Sequence, residues 1–199
     1  MGLRERKKAR TRDAIQRHAL RLFSEQGYAE TTIEQIAEAA DVSPSTYFRY
    51  FPTKEAPVLY DRIDPILMES FLNQPAELSS LQAIREAIRE VAAELPAEES
   101  ELESMRHEII FGVPELRGRL LERLVDTMSV LSDAVAQRTG VDRDDRRVAV
   151  FTGCVLGAVL AAVYGNSIVD AEDPPSMMSG VMTGRIDEAL RLIEDGLPL

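Results

Sequence analysis

Residues 41–51, Asp41-Val42-Ser43-Pro44-Ser45-Thr46-Tyr47-Phe48-Arg49-Tyr50-Phe51, crowd hydroxyls, aromatic rings and a guanidinium into one short stretch. Side chains of these kinds hydrogen-bond to base edges and phosphates and pack on thymine methyls, so the chemistry they offer is nucleic-acid contact. Bond-making chemistry is poorly supplied. His107 and Glu108 are adjacent, which on a helix points them to different sides, and Cys154 falls in an uncharged helical segment where a thiol is usually buried and inert. His18 and His107 are far apart, and no metal-ligand spacing, Gly-rich phosphate loop or nucleophile elbow occurs. An enzyme, a metal site and a cofactor are therefore not expected. One cysteine makes no intramolecular disulfide, which suits a reducing cytoplasm.

The elements that must position that stretch follow from caps and periodicity. Ile15, Ala19, Leu22 and Phe23 recur at helical spacing and Gly27 suits a left-handed stop, which predicts a helix over about 5–26. Thr31 or Thr32 caps the next helix, with Glu34 or Gln35 three residues on, and Ile33, Ile36, Ala37 and Ala40 form its buried side. Ser43 is a good N-cap and Pro44 fits the first helical position, so a third short helix starts there and stops at Pro52. Three or so residues between the second and third helices force the sharp corner of a helix-turn-helix. Further helices are expected over roughly 54–73, 79–95, 98–111, 114–139, 144–168 and 176–195, punctuated by Pro75, Pro96, Pro114, Gly140 and Pro174-Pro175. The fold class is all-α, with residues 1–53 as the helix-turn-helix unit and 54–199 as a helical body.

Charge is placed unevenly along the 199 residues, whose formal net charge is -11. Residues 1–21 carry eight basic side chains against Glu5 and Asp13, a local +6, whereas residues 56–199 carry 13 basic and 26 acidic ones. A nucleic acid responds to the local field within a Debye length of roughly 8 Å, so the acidic total does not exclude it. On composition alone a solvated basic tail is the more common explanation. The N-terminus has no apolar run behind its positive residues and does not read as a secretory signal.

Val148 to Val169 is free of charge for 22 residues, long enough to span a bilayer, yet Lys and Trp anchors are missing from its flanks. Coverage by protein is the favoured reading, with no membrane partner. Gly153 and Gly157 would admit a second backbone, and the last helix offers Met178, Met182, Ile186, Ala189 and Ile193 at helical spacing. Two such helices from each of two subunits make a four-helix homodimer interface.

The run Ala19-Leu20-Arg21-Leu22-Phe23, Gly27-Tyr28, Thr31 to Ala37, Val42 to Phe51 and Lys54-Glu55 resembles the DNA-binding domain of TetR-family transcriptional regulators over about residues 8–58. That resemblance implies an all-helical homodimer of about nine helices per subunit. It further implies repression of double-stranded operator DNA that is relieved when the helical body binds a small apolar effector. Arg106-His107, Ile109-Ile110 and Pro114-Glu115-Leu116-Arg117 resemble the subgroup containing mycofactocin-system regulators, which implies an acyl-coenzyme-A-like effector. Pro44 and Arg49 depart from the family pattern, where a small or charged residue and an aromatic are common. A helical adaptor that has lost DNA binding is the alternative from another class.

Base contacts are expected from Ser45, Thr46 and Tyr47 on the first turn of the third helix. Phosphate contacts are expected from Tyr50, Lys54 and the hydroxyl of Thr32, with Arg49 suited to either job. Ser43 serves as a cap before it serves as a contact, and Arg10 and Arg12 reach the minor groove or backbone, or are simply solvated. Phe48 and Phe51 are expected in the core. Between residues 60 and 165, Met68, Phe71, Ile88, Met105, Ile109, Phe111, Met128, Phe151 and Tyr164 are candidate cavity liners, with Arg106, His107 and Asn166 as polar anchors. Each of these is individually more often plain core.

Overall fold

The computed structural model describes residues 2–164 and 180–197, apart from the side chains of 120–123, 164, 180 and 181. The described residues form ten helices and no strand: α1 (Leu3–Gln26), α2 (Ile33–Ala39), α3 (Pro44–Tyr50), α4 (Ala56–Leu59), α5 (Ile63–Asn73), α6 (Ser80–Glu94), α7 (Ala97–Gly112), α8 (Pro114–Thr139), α9 (Arg146–Tyr164) and α10 (Gly180–Glu194). Apolar periodicity and punctuation place most of these ends within a residue or two. Gly140 closes α8 in the left-handed conformation at φ 68°, and a Ser79–Gln82 capping box opens α6.

The expected continuous helix over 54–73 is the exception. It breaks at residues 60–62 because Asp61 turns its carboxylate onto the chain: Oδ1 accepts the N–H groups of Ile63 at 2.8 Å and Asp64 at 3.0 Å. Those N–H groups would otherwise bond carbonyls one turn back, so a local acceptor starts a new helix in place of continuing the old one. On the other side, Gln16 of α1 donates its Nε2 to the carbonyls of Pro57 at 2.9 Å and Tyr60 at 2.7 Å. The break explains why the count exceeds the nine or so implied by resemblance.

Two apolar cores result. One joins α1, α2, α3 and α4 to α7 and the start of α8, through Ile15, Leu20, Phe23, Ile36, Tyr47, Phe51, Val58, Leu102, Ile110 and Leu116. The second joins α5, α6, α8, α9 and α10 through Phe71, Ile84, Leu131, Val155, Met182 and Leu190. Residues 1–53 therefore do not close their own core; α7 lies against α1. Arg17 and Arg21 reach Glu98 at 3.5 and 3.3 Å, and Arg62 pairs with both Asp13 and Glu99, which ties the two helices along their polar edges.

Candidate nucleic-acid interface and internal cavity

The corner between α2 and α3 is fixed by its own polar groups. Thr32 and not Thr31 caps α2: its hydroxyl accepts from Gln35 N at 3.2 Å, and Gln35 Oε1 accepts from Thr32 N at 2.8 Å. Thr31 is buried, its hydroxyl donating to the Gly27 carbonyl at 2.8 Å. Asp41 takes a left-handed φ of 52°, which Asp tolerates better than most residues, and Val42 N returns to the Ala37 carbonyl at 2.9 Å. Ser43 then caps α3 by accepting from Thr46 N at 3.1 Å and donates its own proton to Thr46 Oγ1 at 3.0 Å.

On α3 the structure exposes Ser43, Ser45 and Arg49, half-buries Thr46 and Tyr50, and places the Arg49 guanidinium 5.4 Å from the centre of the Tyr50 ring. Thr32 is exposed at the N-terminus of α2. Lys54 donates to the Ala29 carbonyl at 3.1 Å and lies 4.6 Å from the Tyr28 ring centre, which brings its ammonium beside the loop leading to Thr32. These residues share one end of the molecule. Two assignments are corrected. Tyr47, expected at a base edge, is fully buried among the helices, and its hydroxyl donates to the Thr53 carbonyl at 3.0 Å. Phe48, expected in the core, is 50% exposed and meets Tyr47 only edge-on. The cause is register: α3 is two turns long, and its inward stripe runs through 47 and 51, so 48 falls outside it. Arg12 also differs from a free arm residue, since its guanidinium lies 5.1 Å over the Tyr60 ring and donates to the Tyr60 hydroxyl at 3.4 Å. Arg10 is exposed on α1.

A cavity of about 210 Å³ lies inside the body, between the α4–α5 break, α6, α7, α8 and α9, with Ile186 of α10 at its edge. Of the candidate liners and anchors, Met68, Ile88, Arg106, His107 and Phe111 line it. Five of the other proposed liners, Phe71, Met105, Ile109, Met128 and Phe151, are not part of it. Phe71 is fully buried in the second core under the Arg138 guanidinium, Phe151 packs on that core, Ile109 and Met105 face the first core, and Met128 is half-buried elsewhere on α8. Helical spacing selects a face of each helix but not which helix faces which, so alternate residues land in solid core. The Tyr164 side chain and Asn166 lie outside the described residues.

Sequence reasoning missed most of the cavity's polar wall: Asp61, Asp64, Glu103 and Thr127. The available clue was Glu103 three residues before Arg106 on a helix whose same side carries Leu102 and Ile110. Arg106 donates from Nε to Glu103 Oε2 at 2.8 Å and from Nη2 to Asp61 Oδ2 at 2.7 Å. Burial raises the Glu103 carboxyl, which Arg106 pulls back only in part. Burial also opposes the charge on Asp61, but Arg106 and the two N–H groups that it caps hold its pKa below the usual carboxylate range. Burial, reinforced by Arg106, lowers the pKa of His107 to about 3, so its ring is neutral.

Comparison with known proteins agrees with this architecture. A family model described as bacterial regulatory proteins of the tetR family matches residues 15–58, and one described as the MftR C-terminal domain matches residues 78–198. The transcriptional regulator TcmR of Streptomyces glaucescens is 39% identical over 151 residues, covering 72% of this chain and 67% of its own. Among solved structures, the fatty acid degradation regulator FadR of Bacillus halodurans superposes with a TM-score of 0.58 at 17% identity, covering 94% of this chain and 96% of its own. FadR of Thermus thermophilus, a TetR-family repressor solved with lauroyl-CoA, gives 0.52 at 24% identity, with coverage of 94% and 95%. With a matched corner at one end and a matched helical body over most of the remainder, this chain belongs to the TetR family of bacterial regulatory proteins.

Proposed function

We propose that this regulator is a cytoplasmic repressor that holds operator DNA with two copies of α3 and lets go when an apolar molecule occupies the body cavity. Residues 1–53, with Lys54 at their boundary, supply the DNA contacts, and the rest of residues 54–199 the effector site and the twofold contact. One observation carries the reading: the α4–α5 break ties the cavity to the DNA-binding end. Asp61 lines the cavity, caps α5 and pairs with Arg106, while its neighbour Tyr60 is held to α1 by Gln16 through the main chain and by Arg12 through the ring. A ligand that displaces Asp61 shifts the α4–α5 break, and α1 with it. The two recognition helices then no longer fit successive major grooves about 34 Å apart.

Ser45 and Thr46 face base edges, Phe48 packs on a thymine methyl or a sugar, and Thr32, Tyr50 and Lys54 take phosphates. The test is titration of the purified protein onto duplexes from the region upstream of its own gene. Saturable binding is expected, with Lys54→Ala weakening all sequences evenly and flattening the log–log salt dependence by about one unit. Failure to bind any such fragment would refute the DNA-binding role.

A further inference from the structure

The first part of α1, residues 3–10, stands clear of both cores. Leu3 is 88% exposed, none of these residues is buried, and the first buried side chain of the helix is Ile15. At about 1.5 Å per residue the segment projects roughly 12 Å. It carries Arg4, Arg6, Lys7, Lys8 and Arg10, which meet no carboxylate among the described residues, whereas Arg17, Arg21 and Arg62 each do. At about 100° per residue the five cations, with Leu3 among them, fill an arc of roughly 200°, and Glu5 and Ala9 share the opposite side. Local forces oppose the helix. Arg4 and Lys8, and Arg6 and Arg10, are like charges one turn apart, the positive end of the helix dipole faces them, and Gly2 supplies no side-chain cap. No buried apolar face offsets this, although packing of such a face is what ordinarily holds a short helix in water. A polyanion laid along the cationic arc removes the repulsion and supplies the missing partner.

Resting on the DNA-binding reading above, we propose that the helical form of residues 3–10 is held by duplex DNA, its cationic side lying across phosphates that flank the groove taken by α3. The placement fits. Arg12, just beyond the segment, lines the same surface cleft as Tyr50 at the end of α3, so the segment leaves the body beside a residue assigned to a phosphate. A helix about 10–12 Å wide does not enter a minor groove about 6 Å wide, so the segment meets the backbone and not the bases of that groove. It lengthens the footprint and raises affinity for any duplex, while α3 chooses among sequences.

Hydrogen exchange of the full chain, read by mass spectrometry over residues 3–10, makes the test with a random-sequence duplex at low salt. In the free protein these amides should exchange within tenfold of unstructured rates, and the duplex should slow them at least tenfold. A variant combining Arg4→Gln, Arg6→Gln, Lys7→Gln, Lys8→Gln and Arg10→Gln loses the repulsion and the phosphate contacts together. Free of DNA, its segment should exchange more slowly than that of the natural chain; duplex should add less than threefold protection. Its log–log salt dependence of duplex binding should be flatter by about three units or more. Slow exchange in the free natural chain, no added protection on duplex, or an unchanged salt slope in the variant would each overturn the proposal. Equal protection by polyglutamate would also overturn it, by assigning the segment to an acidic protein. Fragments from upstream of the gene keep the two readings apart. If random duplex protects the segment while no upstream fragment binds more tightly, the segment's role stands and operator recognition falls; if the variant binds an upstream fragment with an unchanged slope, the reverse holds.

Discussion

Removing the Tyr47 hydroxyl takes from the Thr53 carbonyl the donor that it accepts at 3.0 Å. Tyr47→Phe should therefore cost about 1 kcal/mol in urea unfolding and leave operator affinity within twofold, because the ring never reaches the DNA. Phe48→Ala should do the reverse. Half of that ring is exposed, so stability should change by less than about 0.5 kcal/mol while operator binding weakens severalfold in a fluorescence anisotropy titration. The stretch 45–51 announces an aromatic recognition helix from its composition alone; which ring turns inward depends on a single step of register, and a two-turn helix has too few apolar positions to fix it. His107 gives a residue-scale prediction in pH. Its folded pKa of about 3 lies below the unfolded value of 6.5, so as pH falls below about 6.5 the unfolded state takes up a proton that the folded state refuses. Stability is lost on acidification by about 2 kcal/mol between pH 7 and pH 5, an order-of-magnitude figure from 1.36 kcal/mol per unit. His107→Gln should remove that part of the slope, leaving the smaller share of half-buried His18, whose pKa burial also lowers.

Between elements, the informative bonds run from side chains to backbone carbonyls. Gln16 of α1 holds the carbonyls of Pro57 and Tyr60, and Arg138 of α8 gathers those of Phe71, Gln74, Pro75 and Leu78 around the α5–α6 turn. Neither residue stands out in the sequence. Gln16 sits beside Ile15 on an amphipathic helix, and Arg138 looks like an ordinary cation near a helix C-terminus, so apolar periodicity recovers the helices and misses what locks them together. The same blindness joins α4 to α5, because Asp61 as a cap is indistinguishable from Asp61 as a solvated charge until the fold brings Arg106 across. Gln16→Leu keeps the volume and strips both carbonyls of their donor, which should cost about 1–3 kcal/mol in thermal or urea unfolding. If the break transmits the effector signal, the variant should still bind the cavity ligand within a few-fold but need more of it to release operator. A variant with unchanged release at equal occupancy would remove Gln16 from the coupling route.

For the molecule as a whole, the net of -13 over residues 56–199 repels a duplex while the +6 of residues 1–21 attracts it, so electrostatics alone orients the basic end toward DNA. We propose that α9 is the element that brings two such ends together. Its stretch Arg146–Val163 is long and apolar enough to cross a membrane by length and composition, yet only 28% of it is buried within the chain. The exposed uncharged residues form one stripe, Ala149, Val150, Gly153, Cys154, Gly157 and Ala161, at helical spacing. A Cβ added at Gly153 or Gly157 would meet nothing within 4 Å, so the fold of the single chain gives no reason for glycine there. Close approach of a second α9 does. Gly157→Leu should therefore leave the subunit folded, and even gain about 1 kcal/mol of helix propensity, while driving it to a monomer in sedimentation velocity. Operator affinity should fall with it, since a lone recognition helix reads one half-site and forfeits the effective concentration of the second. A Gly157→Leu protein that still sediments as a dimer would place the twofold contact on another face.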